Sequence, residues 1–353
     1  MGTEFLNSRR LVKVAALLLV SLLLLACETV GYYSQAVRGQ LAIVLGRQDI
    51  ERLLQDETLD PLLAERFHEL LSIREFAASE LALPVAGNYS SYVDLGREHV
   101  VWNVFAAPEF SVDPLNWCYP IAGCVSYRGY FSKQAASRYA GQLADEGYDV
   151  YTGGVDAYST LGWFDDSLLS TVLDRDSYQL AGLIFHELAH QVLYLPGDTT
   201  FNESFATAVE RAGVSRWLAA SGQQALIAQA ETQQQRQAQF IQLVSDYQDR
   251  FAALYESAVE ESQMRQRKQQ LQQQLRGDYQ QLKTDWDGYN GYDAWFSRSL
   301  NNAQLSTVSS YNDLVPFFTE LLRECEGDFA LFYSRVQALA EMDADERQQL
   351  MGQ

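Results

Sequence analysis

Residues 180–194 read Leu-Ala-Gly-Leu-Ile-Phe-His-Glu-Leu-Ala-His-Gln-Val-Leu-Tyr, and this stretch decides the fold. It contains the pattern His-Glu-x-x-His, formed by His186, Glu187 and His190. On a helix, side chains four residues apart project from the same face about 6 Å apart along the axis, so both imidazoles can reach one metal ion. The carboxylate of Glu187 is then placed to accept a proton from a metal-activated water. We predict a buried helix that ends near Tyr194 and binds zinc on one face.

This short pattern also occurs by chance on helices, where it is only a solvated cluster of charges. Three observations favour a zinc site over that alternative. The flanking residues are apolar, two of the four histidines of the chain lie in the motif, and a suitable carboxylate follows it. We therefore predict one zinc ion per chain, bound by His186 and His190, with Glu187 as general base and then general acid.

The third zinc ligand is predicted to be a carboxylate. No histidine follows His190, and the position six residues after it, where a metzincin-type continuation places a histidine, is Pro196. Glu203 is the best candidate because it begins a second helix, near a tight return at Pro196 where the two helices can lie close. Glu210, seven residues later on the same helical face, is the alternative ligand. Thr207 or Glu210 could then orient a ligand histidine through a hydrogen bond.

Residues 1–26 have the features of a secretory signal peptide. Basic residues precede an apolar run over 14–26, which at about 1.5 Å per residue is too short to span a hydrocarbon core of about 30 Å. The run ends in Leu-Leu-Ala-Cys, which resembles the lipobox of bacterial lipoproteins and makes Cys27 the predicted lipid-modified residue. Because Glu28 is not the Asp that retains lipoproteins at the inner membrane of enteric bacteria, we expect a periplasm-facing anchor at the outer membrane. The alternative is an uncleaved membrane anchor.

The net charge excludes nucleic-acid binding, and the cysteine pattern indicates an oxidising compartment. The 353 residues include 46 acidic and 26 basic ones, and the resulting net charge of −20 would repel nucleic-acid phosphates. Cys118 and Cys124 flank a short loop that contains Pro120 and Gly123, and we predict a disulfide between them rather than a free pair. Cys325 is expected to be a small buried residue of a helix.

The distribution of apolar residues predicts an α+β protein that is predominantly helical, with a small sheet. Strand-like runs lie at 100–106, 125–130 and 149–151, and a helix capped by Ser132 precedes the last of them. The predicted segments are a helical one over 27–83, a catalytic core over 84–222, a Gln-rich helical hairpin over 223–286 and a helical segment over 287–353 that packs on the core. We expect the hairpin to be a solvated pair of helices beside the core, and the alternative is a cover that limits access to the cleft.

The sequence resembles zinc peptidases at several places. His-Glu-Leu-Ala-His-Gln at 186–191, followed by Asn-Glu-Ser-Phe-Ala at 202–206, is similar to the gluzincin-type enzymes. Nearly the whole mature chain resembles a bacterial family of predicted aminopeptidases, through the lipobox and three further stretches: Cys-Tyr-Pro-Ile-Ala-Gly-Cys-Val-Ser-Tyr-Arg-Gly-Tyr-Phe at 118–131, Ala-Tyr-Ser-Thr-Leu-Gly-Trp-Phe-Asp-Asp at 157–166 and Leu-Asn-Asn-Ala-Gln-Leu at 300–305.

This resemblance implies a zincin-like metallopeptidase core. It also implies an edge strand above the zinc helix that pairs with an extended peptide substrate, and 159–164, with Gly162 and Trp163, is the predicted position of that strand. The Gly-x-Met-Glu-Asn element with which well-studied zinc aminopeptidases capture a free amine does not occur in the chain. The predicted function is a zinc-dependent peptidase of the bacterial cell envelope, an aminopeptidase by family. The alternatives are a zinc endopeptidase and a non-catalytic envelope binding or scaffold protein.

The donor that stabilises the reaction's oxyanion is predicted to lie on another segment. Tyr311 is the preferred catalytic candidate, because the segment that follows the hairpin has to fold back across the cleft if the domain is to close. Tyr127 with Arg128, beside the paired cysteines, is the alternative. His68 and His99 are expected to be surface or structural residues.

Overall fold

The computed structural model describes residues 30–119, 123–157, 165–308 and 314–352. Over these residues the chain is α+β and mostly helical, with three small sheets, which confirms the predicted fold class at that level. None of the described helices combines the length and the apolar character that crossing a membrane requires.

Several predicted features lie outside the described residues. They are the signal peptide over 1–26, the lipid-modified Cys27, the edge strand over 159–164 with Gly162 and Trp163, and the catalytic candidate Tyr311. These features remain predictions. The division of the chain into segments likewise stays a prediction.

Three helices open the described chain: α1 over 30–45, α2 at Ile50–Leu53 and α3 at Pro61–Glu80. The start of α3 is fixed by Asp60, whose carboxylate accepts the backbone N–H groups of Leu62 and Leu63. Pro61 occupies the first helical position, where its missing N–H costs no hydrogen bond. One face of α3 is buried in the main core through Phe67, Leu70, Ile73 and Ala77.

The described residues contain eight short strands in three sheets: β1 (Gln48–Asp49), β2 (Ser91–Val93), β3 (Val101–Ala107), β4 (Trp117–Tyr119), β5 (Gly123–Val125), β6 (Arg128–Tyr130), β7 (Asp149–Val155) and β8 (Leu168–Leu169). The first sheet has the order β1-β2-β8, with β8 parallel to β2. The second is antiparallel in the order β6-β3-β7, and Asn103 of β3 lies opposite Gly129 and Gly153. The third pairs β4 with β5, where Cys118 and Cys124 lie opposite one another and form the predicted disulfide.

The prediction of one strand over 125–130 is wrong. β5 ends at Val125, β6 begins at Arg128, and the two strands belong to different sheets. The physical reason is their different partners. The disulfide at Cys124 holds β5 against β4, whereas Arg128 lies opposite Val104 in the ladder of β6 with β3.

Helix α4 (Lys133–Asp145) covers one face of the β6-β3-β7 sheet. Its first turn is capped by the hydroxyl of Ser132, which accepts the N–H of Ala135, as the sequence predicts. The core between helix and sheet contains the inward-facing residues Trp102, Val104, Ala106, Tyr130, Ala136 and Leu143.

The helices α5 (Ser177–Val192) and α6 (Thr199–Ala220) lie antiparallel and pack closely together. The return between them is held by the buried Asn202, whose side chain accepts the N–H of Leu195 at 2.7 Å and donates to its carbonyl at 2.8 Å. The carboxylate of Asp198 caps α6 by accepting the N–H of Phe201. These contacts fix where the start of α6 lies against the end of α5.

The helices α7 (Gln224–Tyr255) and α8 (Glu261–Asp285) form the long hairpin that the Gln-rich segment predicts. Tyr247 donates to Asp278 across the pair at 2.6 Å. The turn end of the hairpin is tied to β7 by Lys268, whose Nζ lies 2.5 Å from Asp149 Oδ2. The hairpin shares a core of its own with the segment that follows it, including Phe240, Val244, Phe251, Leu275, Tyr279, Trp286, Phe296 and Leu305.

Five α-helices follow in the described residues after 285: α9 (Asp293–Phe296), α10 (Asn302–Leu305), α11 (Val315–Glu324), α12 (Phe329–Ala340) and α13 (Ala344–Met351). α11 and α12 pack on α6, where the rings of Phe318 and Phe332 lie within 6 Å of the ring of Phe205. Cys325 is buried directly after α11.

Candidate metal centre

Helices α5 and α6 bring His186, His190 and Glu203 together. His186 Nε2 lies 3.2 Å from His190 Nε2 and 3.3 Å from Glu203 Oε2. His190 Nε2 lies 3.6 Å from Glu203 Oε1. One ligand atom of each residue is therefore within 4.8 Å of the other two, and the three predicted ligands converge on one point.

The spacing of these donor atoms fits a tetrahedral zinc ion. Zinc bonds of about 2.0–2.1 Å that meet at tetrahedral angles place neighbouring donors about 3.3 Å apart. The observed separations of 3.2, 3.3 and 3.6 Å lie around that value. Two imidazoles and one carboxylate are also a donor set of catalytic zinc sites. The residues thus fit the ion that the sequence predicts.

Glu210 contacts the opposite nitrogen of His186, with Oε2 3.1 Å from Nδ1. This contact leaves Nε2 to face His190 and Glu203, which is the geometry expected of a residue that orients a ligand histidine, the role for which Glu210 and Thr207 are the candidates. Gly182 lies one turn before His186, and a Cβ atom there would lie 3.2 Å from Glu210 Oε1. The glycine therefore leaves the room through which the Glu210 side chain reaches the imidazole.

Burial and mutual contacts shift the pKa values of the three residues in different directions. Burial alone lowers the pKa of His186, but hydrogen bonds to Glu203 and Glu210 outweigh it and raise that pKa well above its usual value. Burial raises the pKa of Glu203, yet its hydrogen bond to His186 and the charge of His190 hold the pKa below its usual range. Burial and the neighbouring His186 lower the pKa of His190 to about 4.

Glu187 lies on α5 between the two histidines and is half-buried. Burial raises the pKa of its carboxyl to about 7; the charge of His186 opposes this rise, while the carboxylates of Asp166 and Glu203 add to it. A carboxyl that titrates near neutral pH can both accept and donate a proton under physiological conditions. A pKa of about 7 is compatible with the general base and acid role that the sequence predicts for Glu187.

A largely buried polar network beside the histidines could not be predicted from the sequence. Gln191 Nε2 donates to Asn88 Oδ1 at 3.0 Å and to Asp166 Oδ2 at 3.1 Å. Asn88 in turn donates to Gln191 Oε1 at 2.8 Å and accepts the backbone N–H of Asp166 at 2.8 Å. These residues are 78 and 103 positions from Asn88, so only the fold shows their contact. One sequence feature pointed to two of these residues: Gln191 and Asp166 are the last residues of the stretches 186–191 and 157–166, which resemble zinc peptidases and predicted aminopeptidases.

Two tyrosines near the histidines were also missed. The ring of Tyr194 lies 6.4 Å from the ring of His190, and burial together with the charge of Glu203 raises its pKa. Burial and the carboxylates of Glu187 and Asp166 raise the pKa of Tyr89 well above its usual value. Both phenols therefore remain protonated at neutral pH, as hydrogen-bond donors must be.

Of the alternative pair, Arg128 is the first residue of β6 and Tyr127 directly precedes that strand. The ring of Tyr127 is 5.7 Å from the ring of Phe105 on β3. The guanidinium of Arg128 lies 4.2 Å above the ring of Tyr32 and 4.5 Å above that of Tyr139. Arg128 thus joins α1 and α4 to the sheet by cation–π contacts.

The remaining histidines behave as expected. His68 is exposed on α3. His99 Nδ1 lies 2.6 Å from Asp156 Oδ1. The carboxylate of Asp156 also forms an ion pair with Arg175. His99 therefore has a structural partner of its own.

A family model described as "Putative aminopeptidase" matches residues 31–351. The chain belongs to this aminopeptidase family. The match confirms the resemblance found in the sequence at family level and supports hydrolysis of peptides as the general activity. No curated protein and no solved structure matched the chain in the same comparisons.

Proposed function

We propose that this member of the aminopeptidase family is a zinc-dependent peptidase with a zincin-like core. The observation that carries the proposal is the convergence of His186, His190 and Glu203 on one point, with the carboxyl of Glu187 beside them. Donor type, donor spacing and the general base come from two adjacent helices, which is the arrangement of zinc peptidases with the His-Glu-x-x-His motif.

Each side chain has a distinct part in the proposed reaction. A zinc ion, when bound, supplies Lewis-acid chemistry that lowers the pKa of water to about 7 and polarises a carbonyl. Glu187 accepts a proton from the attacking water at its carboxylate and donates it to the amine that leaves. Glu210 fixes the ring orientation of His186 through Nδ1. Tyr311 remains the preferred oxyanion donor, and the protonated Tyr194 is a further candidate.

The ligand set supports a catalytic site over a structural one. Within the described part of the chain, the cluster contains two histidines and one glutamate, and no fourth His, Cys, Asp or Glu joins it. The side chain of Glu203 is 35% exposed, so solvent reaches the cluster. Structural zinc sites have four protein ligands, whereas catalytic sites keep one position open to water or substrate. A scaffold protein with structural zinc is therefore the weaker alternative.

The acidic surroundings of the cluster favour an aminopeptidase over an endopeptidase. Asp166, Glu203 and Glu210 all lie close enough to raise the pKa of Glu187. With Glu203 and Glu210 assigned to zinc and to His186, Asp166 is the carboxylate of this group that can attract the α-ammonium group of an unblocked peptide, and an N-acylated peptide lacks that interaction. The proposed substrate is a peptide with a free amino terminus, bound along the edge strand predicted over 159–164.

The proposed location is the bacterial cell envelope, with the lipid on Cys27 anchoring a periplasm-facing protein to the outer membrane. The disulfide between Cys118 and Cys124 supports an oxidising compartment.

The test uses the purified mature chain and one set of peptides in free-amine and N-acetylated forms. We expect cleavage of the free-amine set only, loss of cleavage in a chelator and recovery with stoichiometric zinc. Equal cleavage of both sets would assign an endopeptidase. No cleavage by protein that contains one zinc ion with four protein ligands, measured by X-ray absorption, would contradict the proposal and favour the scaffold.

A further inference from the structure

Helix α1 carries an unusual concentration of exposed apolar side chains. Ten large hydrophobic residues of the described chain are exposed, and five of them lie in the sixteen residues of α1. Their exposed fractions range from 42% to 82%. The five residues, called the α1 stripe below, are Val30, Tyr33, Val37, Leu41 and Leu45.

The opposite face of α1 is docked on the protein. Tyr32 donates a hydrogen bond to Tyr119, and the backbone N–H of Phe131 donates to Gln35. Gly39 lies against the ring of Phe131 so closely that a Cβ would overlap the ring, and Ile43 is buried.

Helix geometry places these two sets of residues on opposite sides. At about 100° per residue, the α1 stripe covers an arc of about 120°, and the docked residues Tyr32, Gln35, Gly39 and Ile43 lie around a direction about 180° from its centre. The docked face fixes the rotation of the helix, so the stripe points away from the protein along the whole length of α1.

The charge of α1 differs from that of the rest of the molecule. The whole chain has a net charge of −20, whereas residues 30–45 contain a single charged residue, Arg38. An acidic protein is repelled by the anionic surface of a bacterial membrane, but this helix presents a neutral apolar face with one cation beside it. The α1 stripe is apolar and has the positive charge of Arg38 beside it, which is the combination found in interfacial helices.

We infer that the α1 stripe is a membrane-contact surface, which lies in the interface of the bilayer that holds the lipid of Cys27. The inference rests on the proposed lipid attachment. Val30 lies three positions after Cys27, and a fully extended chain over three Cα–Cα steps reaches at most about 11 Å. The anchor therefore holds the first turn of α1 next to the headgroups, and an apolar face buried about 5–10 Å into the interface satisfies that geometry. The helix then sets the orientation of the whole protein on the membrane.

The first experiment measures depth in the bilayer. The lipidated mature chain is reconstituted in phosphatidylethanolamine–phosphatidylglycerol vesicles with a spin label at Val37→Cys or Leu41→Cys. Leu350→Cys, an exposed leucine of α13, is the matched control. Lipid, disulfide and burial protect the four native cysteines, so only the introduced thiol reacts. We expect the labels at 37 and 41 to be at least threefold more accessible to oxygen, relative to a water-soluble nickel complex, than the label at 350. Equal accessibility at the three positions would overturn the inference.

A second experiment separates the stripe from the lipid. The mature chain from residue 27 onward with Cys27→Ser, which lacks the apolar run over 14–26 and cannot be acylated, is floated with the same vesicles. We expect weak binding that Leu41→Glu reduces at least tenfold and Leu350→Glu leaves unchanged. Binding that is insensitive to Leu41→Glu would overturn the inference. So would a Cys27→Ser dimer that Leu41→Glu dissociates, because a second copy of the chain would then cover the stripe.

Both experiments are independent of the proposed peptidase activity. Leu41→Glu should retain full hydrolysis of soluble peptides, since Leu41 lies outside the metal centre. A protein that fails to bind zinc or to cleave peptides would contradict the proposed function and leave the depth measurement valid. Mass spectrometry of the mature chain checks the lipid on Cys27 separately.

Discussion

Two antiparallel helix pairs follow one another along the chain and place their polar residues on opposite sides. In the pair α5–α6, the ionisable side chains of His186, His190 and Glu203 lie at the contact between the helices. In the pair α7–α8, the contact contains apolar residues such as Phe251 and Leu275, and most of the glutamines are exposed. In the first pair, removing charged groups from water costs free energy, whereas the second pair gains stability from burying apolar surface.

A helix pair that forms a site therefore differs from one that forms only a scaffold in what lies between its helices. The polar contact in α5–α6 is tolerated because apolar residues surround it, among them Ile184, Phe185, Leu188 and Phe205, all fully buried. A cation bound by the carboxylates and imidazoles would offset the cost of burying them. Substitutions in one pair should therefore change chemistry, and matched substitutions in the other should change only stability.

The largest effect is expected from Glu187→Gln, which keeps the shape of the side chain and removes its ability to accept a proton. Peptide hydrolysis should fall by about 10²- to 10⁴-fold, while zinc content stays near one per chain. The matched control is Glu231→Gln, an exposed glutamate of α7, which should leave kcat unchanged. Steady-state kinetics and metal analysis measure the two quantities. Full activity in Glu187→Gln would reject the proposed role.

Phe251→Ala tests whether the hairpin is energetically separate from the metal centre. Phe251 is fully buried in the core shared by α7, α8 and the following segment, so its truncation should lower the free energy of unfolding by about 3–5 kcal/mol. Phe205→Ala, equally buried in α6, should cost a similar amount. Only Phe205→Ala should also weaken zinc binding, because α6 carries Glu203. Denaturant unfolding and chelator competition distinguish the variants; weaker zinc binding in Phe251→Ala would contradict the separation.

The sequence predicts those features of the two helix pairs that depend on local periodicity. The helix with His186 and His190, the start of α6 near Glu203 and the long hairpin all follow from residue spacing along one segment. The network of Asn88, Gln191 and Asp166 could not be predicted in that way, because it joins residues from three distant segments. Strands of two residues, such as β1 and β8, are likewise too short to leave an alternating pattern.

Tyr311→Phe tests whether the segment after the hairpin contributes the oxyanion donor to the site. The change removes only a hydroxyl, so kcat should fall by about ten- to a thousandfold with zinc affinity intact. Tyr194→Phe is the comparison, because the ring of Tyr194 lies 6.4 Å from that of His190. An unchanged kcat in Tyr311→Phe together with a loss in Tyr194→Phe would move the oxyanion donor to the end of α5.

Glu210→Gln separates the residue that orients a ligand from the ligand itself. Loss of the charged contact with His186 Nδ1 should weaken zinc binding by about 10- to 100-fold. Glu203→Gln should weaken it further, because it removes a direct donor. Zinc affinities from chelator competition rank the two variants. The opposite ranking would make Glu210 the third ligand, the assignment that the sequence left open.

The smallest effect is expected from Gly182→Ala, and its sign is informative. Alanine is favoured over glycine inside a helix by about 1 kcal/mol, so propensity alone stabilises the variant. The new Cβ would lie 3.2 Å from Glu210 Oε1, however, and the carboxylate has to move away from His186. Zinc affinity should therefore fall, but by less than the loss of about 10- to 100-fold expected for Glu210→Gln, even if the free energy of unfolding does not decrease.

Gly277→Ala in α8 provides the matched control for that result. No atom lies within 4 Å of the position that a Cβ would occupy at Gly277, so only helix propensity acts there. The variant should gain about 0.5–1 kcal/mol in the free energy of unfolding and keep its zinc affinity. If Gly182→Ala behaved in the same way, the space beside Gly182 would have no part in holding Glu210. A fall in zinc affinity confined to Gly182→Ala would show that a glycine in α5 positions a carboxylate in α6, whereas a glycine in the hairpin affects only the helix that contains it.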